Sequence, residues 1–392
     1  MKNLTQQFSN KSALAWFSPA LLLVCLTAPS AYGDTDVKYE KTVLYKFTDG
    51  SQPNALIQDR DTNVLFGTTS NGGKTKQGSI FNITIDRNKP AEYKELYSFG
   101  IKGNQPSSYG LIQSKEIPFY GTSDQGGNTN NGTIFTYSPE SGFKTVLFQF
   151  SIPSSSPLIP SGLIQASDGN FYGITQAGGA DDKGTIFKYT RGIPNPLSIV
   201  HEFNGSDGTT PSSIIQANNG QFYGTTTTGG KYNKGTFFTM TPTGQLTTLY
   251  SFRGENEDGF GPQGIIQAID GHFYGTAGGG QSSTGTIFHF SATGDLLKPL
   301  AVFLDGTTPR SKLIQTSNGY IYGSTQGNSI LEYDPKQNTI YRINPTTQPT
   351  HVETLLEDVP ASVLIQGHDG NFYGTESSIT KPSSTIFKMS LK

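Results

Sequence analysis

The chain runs to 392 residues, with 47 glycines and only 15% charged residues. A formal net charge of −2, from 28 Lys and Arg against 30 Asp and Glu, gives no electrostatic basis for holding nucleic acid or an anionic membrane. Its one cysteine, Cys25, excludes a disulfide framework and a thiolate metal site.

Residues 1–33 differ in kind from the rest. Lys2 and Lys11 precede an apolar run over 14–26, followed by the small-residue exit Thr27-Ala28-Pro29-Ser30-Ala31 and then the acidic Asp34 and Asp36. That order predicts a secretory signal peptide, and its apolar core is too short for a good membrane span. Cleavage near Ala31 or Gly33 removes Cys25 and leaves 26 basic against 30 acidic residues. Residues 34–42 read as a short lead, and 43–392 as one domain without a shift of composition.

From residue 43 onward one sentence is written seven times, as in Gly162-Leu163-Ile164-Gln165-Ala166-Ser167-Asp168-Gly169-Asn170-Phe171-Tyr172-Gly173. Its glutamine falls at Gln58, Gln113, Gln165, Gln216, Gln267, Gln315 and Gln366, in steps of 55, 52, 51, 51, 48 and 51 residues. A period near 50 built of strands and turns means a propeller or an array.

Each unit holds four short β-branched or aromatic runs, which in the third unit are 162–166, 170–175, 184–189 and 197–203. Asp168-Gly169, Asn219-Gly220, Asp270-Gly271, Asn318-Gly319 and Asp369-Gly370 supply the positive φ of a two-residue hairpin turn between the first two runs. Between the second and third lies a glycine-rich loop such as Ala177-Gly178-Gly179 or Thr228-Gly229-Gly230. These loops open strands and lack a following Lys-Ser/Thr, so they read as shaped turns and not as phosphate cradles.

The domain begins on a run of the fourth type, around 43–47, and ends on one of the third type, Thr385-Ile386-Phe387-Lys388. The two fragments are complementary. The first strand should therefore complete the last blade, remove its exposed edge and close the ring. The expectation is an all-β fold, a seven-bladed β-propeller of four-stranded blades.

The run Gly-Leu-Ile-Gln-Ala-x-Asp-Gly-x-Phe-Tyr-Gly, followed by Gly-Gly and Gly-Thr-Ile-Phe, resembles the GloVer tandem repeat of the choice-of-anchor bacterial surface proteins. The resemblance covers nearly all of 43–387 and implies a secreted or cell-surface protein without an established activity. Lys392 follows the last strand directly, where that family often carries a sorting tail, and this departure turns the expectation toward free secretion or periplasmic residence.

Strand alternation puts the glycine-rich loops and the blade-to-blade connections on one face, where loops are longest and most varied. Binding residues collect on such loops. The candidates there are Asp181, Asp182 and Lys183, then Tyr232, then Glu255, Glu257, Asp258 and Phe260. Carboxylates beside an exposed aromatic suit sugar hydroxyls, or a hard cation such as calcium. Units six and seven lose the Gly-Gly loop, which displaces the expected site toward units two to five. The seven glutamines read as structural, each satisfied by backbone between blades. The Phe-Tyr pairs read as interblade core, with the Tyr hydroxyl bonded at one end. His272 and His289 flank a hairpin whose equivalents, Asn170 with Lys188 and Asn371 with Lys388, are ordinary polar residues.

The sequence thus points to a monomeric binding module for a glycan or an extracellular protein. An enzyme alternative, a lyase or glycoside-acting propeller, requires two or more of these acids to converge on a pocket. A structural surface protein is the third reading.

Overall fold

A computed structural model describes residues 38–392 except 87, 101–105, 116–118, 151–157, 255–257, 279–284, 292, 304–306, 310–311, 328–337, 347–349 and 378–382. The segment read as a signal peptide lies outside the described residues. Every named element is a strand, and the strands form seven antiparallel sheets, the blades of a propeller.

The third blade shows the unit. Leu158–Gln165, Phe171–Ala177, Thr185–Tyr189 and Leu197–Glu202 pair side by side in chain order. Its first strand begins earlier than the sequence pattern predicts, at Leu158, and crosses a bulge between Pro160 and Gly162. The pattern hid this because proline ordinarily argues against a strand. Here the strand is an edge of its sheet, so the missing N–H interrupts no second ladder. In the sixth blade the first strand is broken into Thr307–Pro309 and Ile314–Gln315, both paired with Ile321–Gly327.

The ring closes as the complementary ends require. Tyr39–Lys46 pairs with Thr385–Leu391 as the outer strand of the seventh blade, with Tyr39 opposite Leu391 and Val43 opposite Phe387. The strand starts at Tyr39, inside the stretch read as a lead.

The core lies between adjacent blades, where Tyr of one Phe-Tyr pair meets Phe of the next. Tyr120 and Phe171 are 4.2 Å apart between ring centroids, Tyr172 and Phe222 4.4 Å, and Tyr223 and Phe273 4.2 Å. The glycine after each pair has a steric cause that the repeat alone does not reveal. Gly67, Gly121, Gly173, Gly224, Gly275, Gly323 and Gly374 each sit directly opposite an aromatic residue on the third strand. At Gly224 a Cβ would overlap the tip of the Phe238 ring.

The glutamines clasp neighbouring blades. Gln216 Oε1 accepts the Ser167 backbone N–H at 2.7 Å, while its Nε2 donates to Gly220 O at 3.0 Å. Gln113, Gln165, Gln267 and Gln315 reach back in the same way to the backbone N–H groups of Arg60, Lys115, Asn218 and Ile269. Gln58 reaches His368 N–H, and Gln366 Nε2 donates to Gly370 O in its own turn. Six of the seven side-chain carbonyls thus accept a backbone N–H of the neighbouring blade, while Gln113 Nε2 donates to Asp59 Oδ2 at 3.0 Å.

Candidate functional site

The glycine-rich loops and the blade-to-blade connections do lie together. In the first blade Gly73 N–H donates to Asp49 Oδ2 at 2.8 Å, and in the fourth Gly230 N–H donates to Gly205 O at 2.8 Å.

Loop shape explains two of the predicted site residues. The Gly178 N–H donates to Asp182 Oδ1 at 2.7 Å, as Gly126 and Gly229 donate to Asn130 and Asn233 at 2.8 and 3.0 Å. Asp182, Asn130 and Asn233 share a positive φ of 52 to 58°, a conformation that Asn and Asp tolerate better than most residues. Asp182 therefore shapes its loop with one carboxylate oxygen. Asp181 beside it is exposed, and Lys183 is half-buried with its carbonyl accepting the Thr210 N–H.

Asp258 has a similar local task. It is buried, and its Oδ2 accepts the Tyr250 hydroxyl at 2.9 Å and the Arg253 N–H at 2.8 Å. Burial, together with this carboxylate, pushes the Tyr250 phenol well above its usual range. Asp207 and Asp49 accept N–H groups in the corresponding connections of other blades. Glu255 and Glu257 lie outside the described residues.

What the structure does bring to the surface is aromatic. Tyr232 is 39% exposed and Phe260 45% exposed. The loop carrying Tyr232 and the connection carrying Phe260 are tied by Gly261 N–H donating to Lys234 O at 2.9 Å. Lys231 Nζ and the Arg253 guanidinium lie 5.2 and 5.5 Å from the Tyr232 ring centroid, and Lys234 Nζ lies 5.5 Å from that of Phe260. These cation–π contacts orient both rings. Arg253 was not singled out by the sequence, because its partner Tyr232 lies in a different loop of the same blade, two strands earlier in the chain.

A cleft of about 620 Å³ lies between the second and third blades. Its walls include Val146, Phe148, Tyr189, Ile193 and Leu197 and carry no carboxylate, imidazole or cationic group.

On the face of the Asp-Gly turns, Asp168 Oδ2 accepts from Asn170 Nδ2, the Tyr172 hydroxyl and Lys188 Nζ at 2.8, 3.0 and 3.1 Å. Burial pulls this carboxyl upward, but those bonds outweigh it and hold the group at about 2. In the fifth blade His272 Nδ1 and His289 Nε2 stand 2.9 Å apart, so the two histidines do face each other. Burial and the neighbouring His272 lower His289 to about 4.

Seven antiparallel blades with a closing N-terminal strand define a seven-bladed β-propeller repeat protein. The chain belongs to the Gloeobacter/Verrucomicrobia repeat family, whose model matches residues 32–194 and 160–359. A streptogramin B lyase is similar in fold at 16% identity, with 90% of this chain and 98% of that chain covered and a TM-score of 0.58. The oligogalacturonate lyase VPA0088 from Vibrio parahaemolyticus is similar at 13% identity, covering 91% and 94%, with a TM-score of 0.57. The extracellular domain of the one-component system BT4673 from B. thetaiotaomicron follows at 11% identity, covering 88% of this chain and 39% of that chain, with a TM-score of 0.57. At these identities the likeness establishes the fold. A search of curated proteins finds no match.

Proposed function

We propose that the protein is a secreted propeller that binds glycan on the surface formed by Tyr232 and Phe260. The observation that carries this reading is the pair of exposed, cation-held rings on adjoining loops of a rigid ring. An aromatic face accepts the apolar side of a sugar ring, and Lys231, Lys234 and Arg253 offer donors to its hydroxyls or carboxylates. Aromatic rings held in place before binding also lower the ordering cost. Two of the described acids weigh against the enzyme alternative: Asp182 and Asp258 are engaged with their own loops, and the cleft of about 620 Å³ has no acid in its walls. Export agrees with the leader-like residues 1–33 and with the extracellular domains among the similar folds.

A glycan array probed with the full chain, with and without calcium, tests the reading. Selective binding should fall by about tenfold or more in Tyr232→Ala/Phe260→Ala, the loss expected for one lost stacking contact per ring. Binding unchanged by that double substitution, or no binding to any glycan, would remove glycan recognition at this surface.

A further inference from the structure

Among the described residues one grouping offers three potential metal ligands: Asp270, His272 and His289, with one ligand atom from each within 4.8 Å of the others. The repeat itself supplies the comparison. In the third blade these positions hold Asp168, Asn170 and Lys188, with Lys188 Nζ 3.1 Å from Asp168 Oδ2. In the seventh they hold Asp369, Asn371 and Lys388, with Lys388 Nζ 3.9 Å from Asp369 Oδ2. Both blades thus bring their own cation to the carboxylate.

The fifth blade keeps the carboxylate and replaces the ammonium with an imidazole. The strand register is the same, for His289 stands opposite Tyr274 as Lys188 stands opposite Tyr172 and Lys388 opposite Tyr373. The neighbouring amide has become the second imidazole, His272. We propose that Asp270, His272 and His289 form a binding site for a borderline divalent transition metal such as Zn²⁺.

The chemistry of the donors selects this class. Imidazole nitrogen suits zinc, nickel and copper, whereas calcium and magnesium prefer oxygen ligands. The distances are close to what such an ion needs. His272 Nδ1 and His289 Nε2 are 2.9 Å apart, and Asp270 Oδ2 is 3.9 Å from His272 Nδ1. Ligands of a tetrahedral zinc lie roughly 3.3 Å from one another, so small side-chain rotations in opposite senses fit all three. The ion takes the place of the proton shared by the two rings. Three protein ligands leave a fourth position for water or a bound group.

Neighbours already hold the ligands in orientation. The Tyr274 hydroxyl donates to Asp270 Oδ2 at 2.7 Å, the His272 backbone N–H donates to Asp270 Oδ1 at 3.0 Å, and the Tyr274 ring stacks on His289 at 4.4 Å. Such outer contacts raise the affinity of a metal site. The site is separate from the proposed glycan surface. His272 precedes one end of the strand Phe273–Ala277, while Phe260 bonds to Gly278 beyond the other.

The test is calorimetric titration of untagged, EDTA-treated full chain with Zn²⁺ alone, beside His289→Lys and the double variant His272→Asn/His289→Lys. The double variant rebuilds in blade five the residues of blades three and seven, so it is compatible with the fold. Wild type should bind one Zn²⁺ per chain with Kd of about 10 μM or tighter, and each variant should weaken binding by roughly 100-fold or more, the two ligands left in His289→Lys and the one left in the double variant being too few for a stable site. Substitution with Co²⁺ should give the visible absorption of a tetrahedral nitrogen-ligated ion in wild type only. Absence of stoichiometric Zn²⁺ binding by wild type, or equal binding by the double variant with its melting temperature intact, overturns the proposal.

Discussion

Gln58 Oε1 accepts the His368 backbone N–H at 2.8 Å, joining residues 310 positions apart in the chain. It is the bond that Gln216 makes to Ser167 and Gln267 to Asn218, carried across the closure of the ring. A repeat that uses one contact to step from blade to blade thus uses it again between last and first. Replacing Gln216 by Leu removes both of its amide bonds and should cost about 1–2 kcal/mol, the net worth of two hydrogen bonds. Urea unfolding followed by tryptophan-independent circular dichroism reads this, and an unchanged midpoint would show the clasp to be incidental.

Closure by strand has a sharper consequence. Without Tyr39–Lys46, the strand Thr385–Leu391 presents an unpaired edge. An exposed edge of this kind recruits other strands. A chain starting after Lys46 should therefore self-associate, and a peptide spanning 38–47 should return it to a monomer. Size-exclusion chromatography with light scattering decides the matter; a stable monomer without the peptide would mean that closure depends on other contacts.

Gly224 stands opposite Phe238, and a Cβ there would overlap the ring tip and approach the Ser213 carbonyl. Gly224→Ala should destabilise by about 2–3 kcal/mol, the usual cost of overpacking a fixed core. The ring cannot move away freely, since it packs on Phe203 at 5.6 Å. Thermal melting of the variant checks this, and a cost near zero would show that the ring has room to shift.

These cases mark how much the sequence discloses. The period, the Asp-Gly turns and the complementary ends are local patterns, so the blade number and the closing strand can be read from them directly. The glycine of Phe-Tyr-Gly is equally regular, but its cause sits on the next strand and becomes visible only once Gly224 is seen beneath Phe238. The site is less legible for the same reason. Asp182 and Asp258 vary between units and so look like ligand residues, yet both answer to N–H groups of their own loops. Arg253 and Tyr232 come from different loops, and their contact at 5.5 Å has no signature in either. His272 and His289 are informative because two other blades place Asn and Lys at the same register.

Asp168 links the turn chemistry to pH. Its carboxyl is held at about 2 against an ordinary 3.8, so the native state binds fewer protons than the unfolded state between those values. The stabilisation is complete above pH 3.8 and is lost as the pH falls through about 2. The side chain is 40% exposed, and solvent screening reduces the effect to about 1 kcal/mol. Asp369, lowered by the equivalent contacts from Asn371 and Tyr373, acts in the same direction. Asp168→Asn copies the fourth blade, where Asn219 Nδ2 donates to the Tyr223 hydroxyl at 3.1 Å, and so preserves the turn. The variant should be less stable than wild type at neutral pH, and the difference should shrink toward zero at pH 2. Denaturation curves across that range test the sign: a gap that stays constant with pH would mean that Asp168 acts through its shape alone and not through its charge.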